Sequence, residues 1–323
     1  MIASRAMSWI KSHAASLAAY GGLVFCVLLF LIVPPFFGNS LLEPRRLSTL
    51  MSDVIVVALI SVGAVFVYSL GNIDISIGKQ VGLYATLMVL TTNLTGSLLP
   101  GIALSLLIAI ILAAINGGGG EILRIHSVIP SVVIMFVLSG VSTVIYVSLG
   151  TRNITLKTFD YSLLKSPWLM LIVLIIEVLA VTYLFNYTRF GKYTRAIGAS
   201  PVVAAQNGIN LLKYKVIAYL ILGVCIVIGS VFRMGYTGAA SDSTGTGLEM
   251  NVMVALILGG MPLSGGMRSR ISCAVVGSFT FSLLNVGLPL IGVSTRATYI
   301  VKAVIFMIVV LITCRKKEGT LPR

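Results

Sequence analysis

Thr188 to Lys215 reads TRFGKYTRAIGASPVVAAQNGINLLKYK, and this polar stretch is the longest interruption in a chain that is otherwise almost continuously apolar. It contains five Lys and Arg residues and no acidic residue. Because outward translocation of Lys and Arg is disfavoured, uncompensated cations beside hydrophobic spans predict a cytoplasmic loop. Pro201 suits the first turn of a helix, VVAAQNGI adds about two turns, and Gly208 is a natural stop. A short helix of small residues here favours a docking site for a soluble partner, and a plain connecting loop is the alternative.

The composition sets the class of protein. Apolar residues make up 58% of the 323 residues and charged residues only 10%, whereas charged residues are about a quarter of a soluble domain. A chain with so few charged residues cannot bury its apolar surface in one water-soluble core, so we predict an all-α polytopic membrane protein. The net charge of +14 does not indicate nucleic-acid binding, because the cations are spread over the loops between hydrophobic spans.

Ten apolar runs are predicted to cross the membrane, some of them broken or re-entrant. With the amino end inside, fifteen Lys and Arg residues fall on the inner side and six on the outer side, which predicts that both termini are cytoplasmic. We predict a single transmembrane domain at 17–314, a cytoplasmic lead at 1–16 and a basic cytoplasmic tail at 315–323. The ten runs are Leu17–Phe37, Val54–Leu70, Gln80–Leu94, Leu98–Ile115, Val128–Val147, Pro167–Tyr187, Val216–Tyr236, Asn251–Leu263, Ile271–Ile291 and Ala297–Cys314.

Two glycine-bounded breaks interrupt this pattern. In GNIDISIGK (Gly71–Lys79), the polar residues Asn72, Asp74 and Ser76 alternate with isoleucines. An unpaired carboxylate at the bilayer centre costs about 3 kcal/mol, so we predict non-helical backbone that faces protein or a water-filled cavity, with a surface turn as the alternative. The second break, Gly259–Gly266, has four glycines and a proline in eight residues, which disfavours a straight helix.

Other polar features are open to more than one interpretation. Glu177 lies in the middle of a predicted span, and pairing with another helix is favoured over a place in the pathway. The segment Asn116–Ser127 is predicted to be a polar, Gly-rich turn, and no strand precedes its glycine run as a dinucleotide site would require. The cysteines lie in apolar runs without close Cys or His partners, so no metal site or cofactor is predicted. No segment has the pattern of an ATP-binding loop, so any ATP-derived energy must come from another polypeptide.

Four ordered motifs together resemble the permease subunits of ribose-type sugar importers of the ATP-binding-cassette class, which are related to branched-chain amino-acid permeases. The resemblance covers roughly residues 15 to 315. It rests on GNIDISIG at Gly71–Gly78, on Asn116-Gly117 followed by Pro130, on the pattern of the central loop, and on the carboxy-terminal set Gly259–Gly266, Asn285 and Ile300–Ala303.

The resemblance implies that the chain acts in the bacterial inner membrane together with partner proteins on either side of it. A solute-binding protein would deliver a monosaccharide to a pair of permeases, and cytoplasmic ATPases would drive them. It implies a pathway between the two permease copies lined by Asn72, Asp74, Ser76, Asn116 and Asn285. It also implies a coupling helix that seats in the ATPase through Gly198, Pro201, Ala204, Ala205 and Gly208.

The alternative from another class is an ion-coupled secondary transporter in which Asp74 and Glu177 bind protons or cations. Such a transporter needs no docking loop, and the central loop therefore argues against it. A membrane enzyme is a weaker third hypothesis, because no nucleophile and base or metal-ligand constellation is present in the sequence.

Overall fold

The computed structural model describes residues 19–314, and helices dominate it. The lead 1–16 and the tail 315–323 lie outside the described residues. In chain order the helices and strands are α1 (19–32), α2 (Pro44–Ser69), α3 (Ile77–Thr95), α4 (Leu99–Ile122), α5 (Val128–Ser148), β1 (Asn153–Thr155), α6 (Pro167–Tyr187), α7 (Arg189–Ala199), α8 (Pro201–Gln206), α9 (Leu211–Thr237), β2 (Ala239–Ser241), α10 (Leu248–Leu258), α11 (Ile271–Leu290) and α12 (Thr295–Cys314).

Within the described residues, seven segments are long and apolar enough to cross a membrane. They are Ala19–Phe36, which contains α1, together with α2, α4, α5, α6, α9 and Ser272–Leu290 of α11. This confirms the predicted all-α polytopic membrane protein. The helix α10 has only 11 residues, about 16 Å of helix, which is too short for a hydrocarbon core of about 30 Å.

Helix α2 is the centre of the bundle, because every residue from Val54 to Ser69 is buried. It packs antiparallel to α9 with glycines at the contact. A β-carbon at Gly63 would lie 2.6 Å from the Cys225 sulfur, and one at Gly229 would lie 2.9 Å from Ile60 Cγ1. Helices α5 and α6 instead leave large apolar side chains exposed, Phe136 and Ile176 among them, as lipid-facing helices do.

The glycine run after Asn116 is helical, so the predicted turn at Asn116–Ser127 is wrong for its first half. Helix α4 continues through Gly117–Gly120 to Ile122. The reason is tertiary contact, because a β-carbon at Gly117 would lie 2.8 Å from the Val216 α-carbon of α9. Close approach of the two backbones overrides the low helix propensity of glycine.

Helix starts also differ from the predicted runs. Helix α2 begins at Pro44, ten residues before the predicted start at Val54, because proline is favoured in the first turn. Helix α9 begins at Leu211, where the Asn210 side chain accepts a hydrogen bond from the Lys213 amide at 3.0 Å. Hydropathy identifies only the apolar middle of each helix, so it does not predict the polar residues of the first turn as helical.

The stretch Thr188–Lys215 contains the helices α7 and α8 and the start of α9, whereas its sequence predicts one short helix. Helix α8 begins at Pro201 as predicted, and the Ser200 hydroxyl accepts from the Val203 amide at 3.4 Å. It ends before Gly208, whose φ is 77°. Helix α7 was not predicted, and neither was the short antiparallel pairing of β1 with β2, in which Ile154 opposes Ala240.

Candidate functional site

The carboxyl group of Asp74 organises the first break. It is 2% exposed, and its Oδ1 accepts hydrogen bonds from the Ser76 amide at 2.8 Å and the Ser76 hydroxyl at 2.6 Å. The Gln80 side-chain amide donates to Ser76 Oγ at 2.8 Å and to Asp74 Oδ2 at 3.4 Å, and Tyr84 donates to Gln80 Oε1 at 3.1 Å. A carboxylate at the start of α3 is also favoured by the helix dipole. Asp74 therefore fixes the backbone of the break and the entry to α3.

A polar cavity of about 170 Å³ adjoins this network. Asn116 lines it and is 2% exposed, yet neither atom of its amide group makes a hydrogen bond. The buried Ser127 hydroxyl on the same wall and the buried Tyr219 hydroxyl behind it are also without hydrogen bonds. Electrostatic interactions connect Asn116 with Asp74, and Tyr219 with Ser127 and Asn72, at geometries outside those of normal hydrogen bonds. Asn116 and Ser127 therefore keep hydrogen-bonding capacity that an occupant of the cavity can satisfy. The complete lining is Asn72, Asn116, Gly117, Gly120, Glu121, Ile125, His126, Ser127 and Lys215.

Of the five predicted pathway residues, four are brought together and one is not. Asn72, Asp74, Ser76 and Asn116 form the network and the adjoining cavity described above. Asn285 lies elsewhere, between Asp53 of α2 and Lys302 of α12. Sixteen residues separate Asp53 from the end of α2 at Ser69, which is about 24 Å of helix. Asn285 therefore lies far along the bundle from the first break, and its place on a pathway between two copies stays a prediction.

Four residues of the site were missed from the sequence. Gln80 and Tyr84 follow Ser76 at four-residue spacing on α3, and this polar stripe in an apolar helix is the signal that could have found them. Ser127 is the last residue of the predicted turn Asn116–Ser127, and Tyr219 is a single hydroxyl in a long apolar run. Nothing in their local sequence distinguishes these two from ordinary packing residues.

Glu177 contacts a neighbouring helix, but its interaction is with a thiol and not with a cation. Its side chain is buried in α6, and neither carboxylate oxygen has a hydrogen-bond partner of normal geometry. The Cys225 thiol of α9 interacts with it electrostatically. Among the ion pairs of the described residues, none includes Glu177.

The two breaks and helix α7 meet at one point, which we call the glycine junction (Ser69–Gly71, Gly198 and Gly265–Gly266). The Gly266 amide donates to the Ser69 carbonyl oxygen at 2.8 Å. A β-carbon at Gly198 would overlap that same oxygen, and one at Gly265 would lie 2.5 Å from the Gly71 nitrogen. Segments that are far apart in sequence are thus held in backbone contact, and larger residues are excluded there.

The outer face of α8 is apolar, but it is not formed by all the residues predicted for coupling. Val202 is 67% exposed and Val203 is 54% exposed, and Pro201, Ala205 and Gly208 are exposed beside them. Ala204 is only 4% exposed because it packs into the core of this chain. Gly198 lies in the glycine junction. Ala204 and Gly198 therefore pack α8 and α7 against the rest of the chain, whereas Val202 and Val203 form the exposed surface of α8.

The five cations of Thr188–Lys215 divide into two groups. Arg195 donates to the carbonyl oxygens of Gly191 at 3.1 Å and Phe185 at 3.2 Å, so it caps the end of α6. Lys215 forms an ion pair with Glu121 of α4. Three cations of the stretch are exposed, namely Arg189 and Lys192 of α7 and Lys213 of α9.

Comparison with known proteins agrees with this arrangement of motifs. The family model described as "Branched-chain amino acid transport system / permease component" matches residues 46–310. The ribose import permease protein RbsC of Escherichia coli (strain K12) is 28% identical over 323 residues, covering 96% of each chain. RbsC of Bacillus subtilis (strain 168) is 28% identical over 94% of each chain. The galactose/methyl galactoside import permease protein MglC of Escherichia coli (strain K12) is 27% identical, covering 92% of this chain and 94% of MglC.

No solved structure matches this chain. The family model nevertheless extends from the start of α2 to the end region of α12 and includes both breaks and the helices α7 and α8. The chain therefore belongs to the permease-component family of branched-chain amino acid transport systems.

Proposed function

We propose that this chain is the membrane-spanning permease subunit of an ATP-driven importer of the bacterial inner membrane, and that its solute is a monosaccharide such as ribose. Membership of a permease family supports the transport role. The named relatives are import permeases for ribose and for galactose or methyl galactoside, which favours a sugar as the solute.

The chemistry of the cavity supports a neutral, hydroxylated solute. Asn116 offers one donor group and one acceptor, and the Ser127 hydroxyl offers both. The charges of Glu121 and Lys215 are paired with each other, so the cavity presents no free charge to hold an ion. Hydroxyl groups of a sugar can satisfy buried amide and hydroxyl groups that would otherwise be costly to leave unpaired.

The surface of α8 supports coupling to a separate ATPase. The observation that carries this proposal is the exposure of Val202 and Val203 on a helix joined through Gly198 to both breaks. Exposed apolar side chains on a short helix suit a groove in a partner, and the three exposed cations suit an acidic rim. A second permease copy or a paralogue and an extracytoplasmic solute-binding protein complete the assembly, and no cofactor or nucleic acid takes part.

The topology that fits this function places α8 and both termini in the cytoplasm. We place α10 as a partial crossing whose end meets the second break, because it spans only about 16 Å. The domain boundaries follow, with one membrane domain at 17–314 between the cytoplasmic lead and the basic tail.

Docking is tested with α8 variants that change its surface and leave its interior unchanged. Val202→Asp and Val203→Asp place a charge on the exposed face, and burying an unpaired charge at an interface is strongly unfavourable. We expect normal membrane abundance, loss of ATPase co-purification and loss of ATP-driven uptake of labelled ribose.

The matched control is Gln206→Asp, which adds the same charge at the exposed end of α8. The expected result for this variant is retained ATPase. If both valine variants retain the ATPase and import ribose at the wild-type rate, α8 is a connector and the coupling proposal is wrong.

A further inference from the structure

A second cavity opens at the end of the bundle where α6 leads into α7 and where α11 begins. Its volume is about 630 Å³, and small-molecule sites range over about 300–1,000 Å³. Its walls are the first turn of α1, the last turns of α6, the middle of α7 and the first turns of α11. Three membrane-spanning segments therefore have an end here, which places the cavity at the level of the lipid headgroups, on the side of the stretch Thr188–Lys215.

Helix α1 leaves room for this cavity at one end only. Around Phe30 it packs closely on α11, because a β-carbon at Gly287 would lie 2.5 Å from the Phe30 ring. Tyr20, ten residues or about 15 Å of helix earlier, lines the cavity. A β-carbon at Gly21 or Gly22 would meet no atom within 4 Å. The two helices are therefore in contact at one end and leave a crevice between them at the other.

The wall of the cavity at the headgroup level is basic. Arg195 of α7 and Arg270 at the start of α11 line it, and the described part of its lining includes no Asp or Glu. Arg195 donates two of its five N–H groups to main-chain oxygens, so the others can donate to an anion. Guanidinium groups bind phosphate oxygens through paired N–H groups. This wall therefore favours an anionic group, and a phosphate in particular.

Ser269 is an independent sign of a ligand at the same wall. The residue is 1% exposed and lines the cavity, yet its hydroxyl makes no hydrogen bond within the described residues. Buried hydroxyl groups in native structures almost always have a partner. The first turn of α11 follows directly, and the amide groups at a helix N-terminus attract anions. An anion in the cavity would give this hydroxyl an acceptor.

The rest of the wall is apolar and adjoins a lipid-facing surface. Val178 of α6 and Val275 of α11 line the cavity. Val178 lies nine residues before the end of α6 at Tyr187, about 13 Å toward the membrane interior. Its neighbour Leu179 is 64% exposed, as on helices that face lipid. An acyl chain can therefore lie in the crevice while its headgroup is at the arginines.

We propose that this cavity binds one anionic phospholipid of the cytoplasmic leaflet, with its phosphate against Arg195 and Arg270 and an acyl chain along Val178 and Val275. A soluble phosphate would bind the arginines but leave the apolar wall without a contact, whereas a phospholipid matches both parts. Basic pockets between spanning helices on the cytoplasmic side bind lipid headgroups in this way. The inference goes beyond the proposed function, on which it rests only for the choice of leaflet.

The affinity is measured by native mass spectrometry of the purified full-length chain in detergent. The probes are phosphatidylglycerol and phosphatidylethanolamine with the same acyl chains. We expect phosphatidylglycerol to bind more tightly, and Arg270→Gln to lower its affinity about tenfold, the effect of a lost charge-assisted hydrogen bond. Arg270→Lys should lose less, because it keeps the charge. Equal affinity for the two lipids, or an unchanged affinity in Arg270→Gln, would overturn the site.

Arg268→Gln is the matched control, because Arg268 is an exposed arginine two residues earlier that does not line the cavity. It removes the same charge from the same segment and should leave the affinity for phosphatidylglycerol unchanged. An equal loss of affinity in Arg268→Gln and Arg270→Gln would mean that lipid is attracted to the basic surface in general, and the site would be wrong.

The position of the lipid is tested in vesicles that contain the full-length chain and phosphatidylglycerol with a photoactivatable group near the start of an acyl chain. Peptide mass mapping should find adducts around Tyr20, Val178 or Val275, and fewer of them in Arg270→Gln. Adducts confined to other segments would overturn the site.

Excess glycerol 3-phosphate distinguishes the two sources of a phosphate group. It should leave the adducts unchanged, and their loss would mean that the cavity binds a soluble phosphate and not a lipid. Sugar import by the complete transporter is a separate measurement. Normal import without lipid binding overturns the lipid site alone, and lipid binding without import counts against the proposed function alone.

Discussion

The α-carbon of Gly198 in α7 lies against the carbonyl oxygen of Ser69 at the end of α2, so closely that a β-carbon at position 198 would overlap that oxygen. The same oxygen accepts the hydrogen bond from the Gly266 amide. The end of the central helix, the second break and the helix that precedes α8 thus share one contact. We propose that a displacement of α8 by a partner would reach the break that contains Asp74 through this contact.

Gly198→Ala should therefore disrupt the glycine junction. The added methyl group must displace backbone, which is costlier than displacing a flexible side chain, and overpacking costs about 1–3 kcal/mol. We expect lower membrane abundance and a lower unfolding temperature in detergent.

Gly140→Ala is the control for that experiment, because Gly140 is helical and a β-carbon there meets no atom within 4 Å. It should be neutral or slightly stabilising, since alanine is the better helix former. If the two variants are equally stable, α7 does not pack against α2 as described.

The sequence was sufficient for the class of fold and the breaks, because hydropathy and glycine clusters act locally. It failed at Gly117–Gly120, where the helix is maintained by contact with Val216 of a distant helix. The local pattern also did not show that Asn285 bridges Asp53 and Lys302, because a polar residue between apolar runs looks the same whether it faces a pathway or bonds to charged residues of other helices. Features that depend on which helices pack together could not be predicted from the local sequence pattern.

Asp74→Asn tests whether the acid is structural or binds a coupling ion. The asparagine oxygen can still accept from Ser76, but its NH₂ group faces the Gln80 amide, which also donates. We expect reduced but measurable ATP-driven sugar uptake and a lower unfolding temperature.

Uptake by the wild-type protein should not change when an uncoupler is added at clamped ATP. The same insensitivity is expected for Asp74→Asn. Loss of wild-type uptake on uncoupling would instead support the ion-coupled transporter in which Asp74 and Glu177 bind the ion.

Asn285 bridges two charged residues between α2, α11 and α12. Its amide nitrogen donates to Asp53 Oδ2 at 3.1 Å, and Lys302 donates to its Oδ1 at 2.8 Å. The Lys302 ammonium also lies 5.0 Å from the ring centre of Phe281. Asn285→Leu should cost about 2 kcal/mol of stability, because hydrogen bonds to both charged groups are lost.

The double variant Asp53→Asn with Lys302→Met should be destabilised by less than the sum of its single variants, because each single change leaves the other charge without compensation. Thermal unfolding of all three variants in detergent measures this coupling. Additive effects would mean that the two charges do not act through Asn285.

Two exposed positions at opposite ends of the bundle test the proposed topology. Gln206 follows the helix α8, and Asp242 follows β2, and both side chains are exposed. A membrane-impermeant thiol reagent applied to intact cells should label Asp242→Cys and leave Gln206→Cys unlabelled, because the cation-rich segment Thr188–Lys215 is expected inside. Both variants should react after the cells are permeabilised, which controls for local access. The reverse pattern in intact cells would place α8 outside, and a cytoplasmic ATPase could then not reach it.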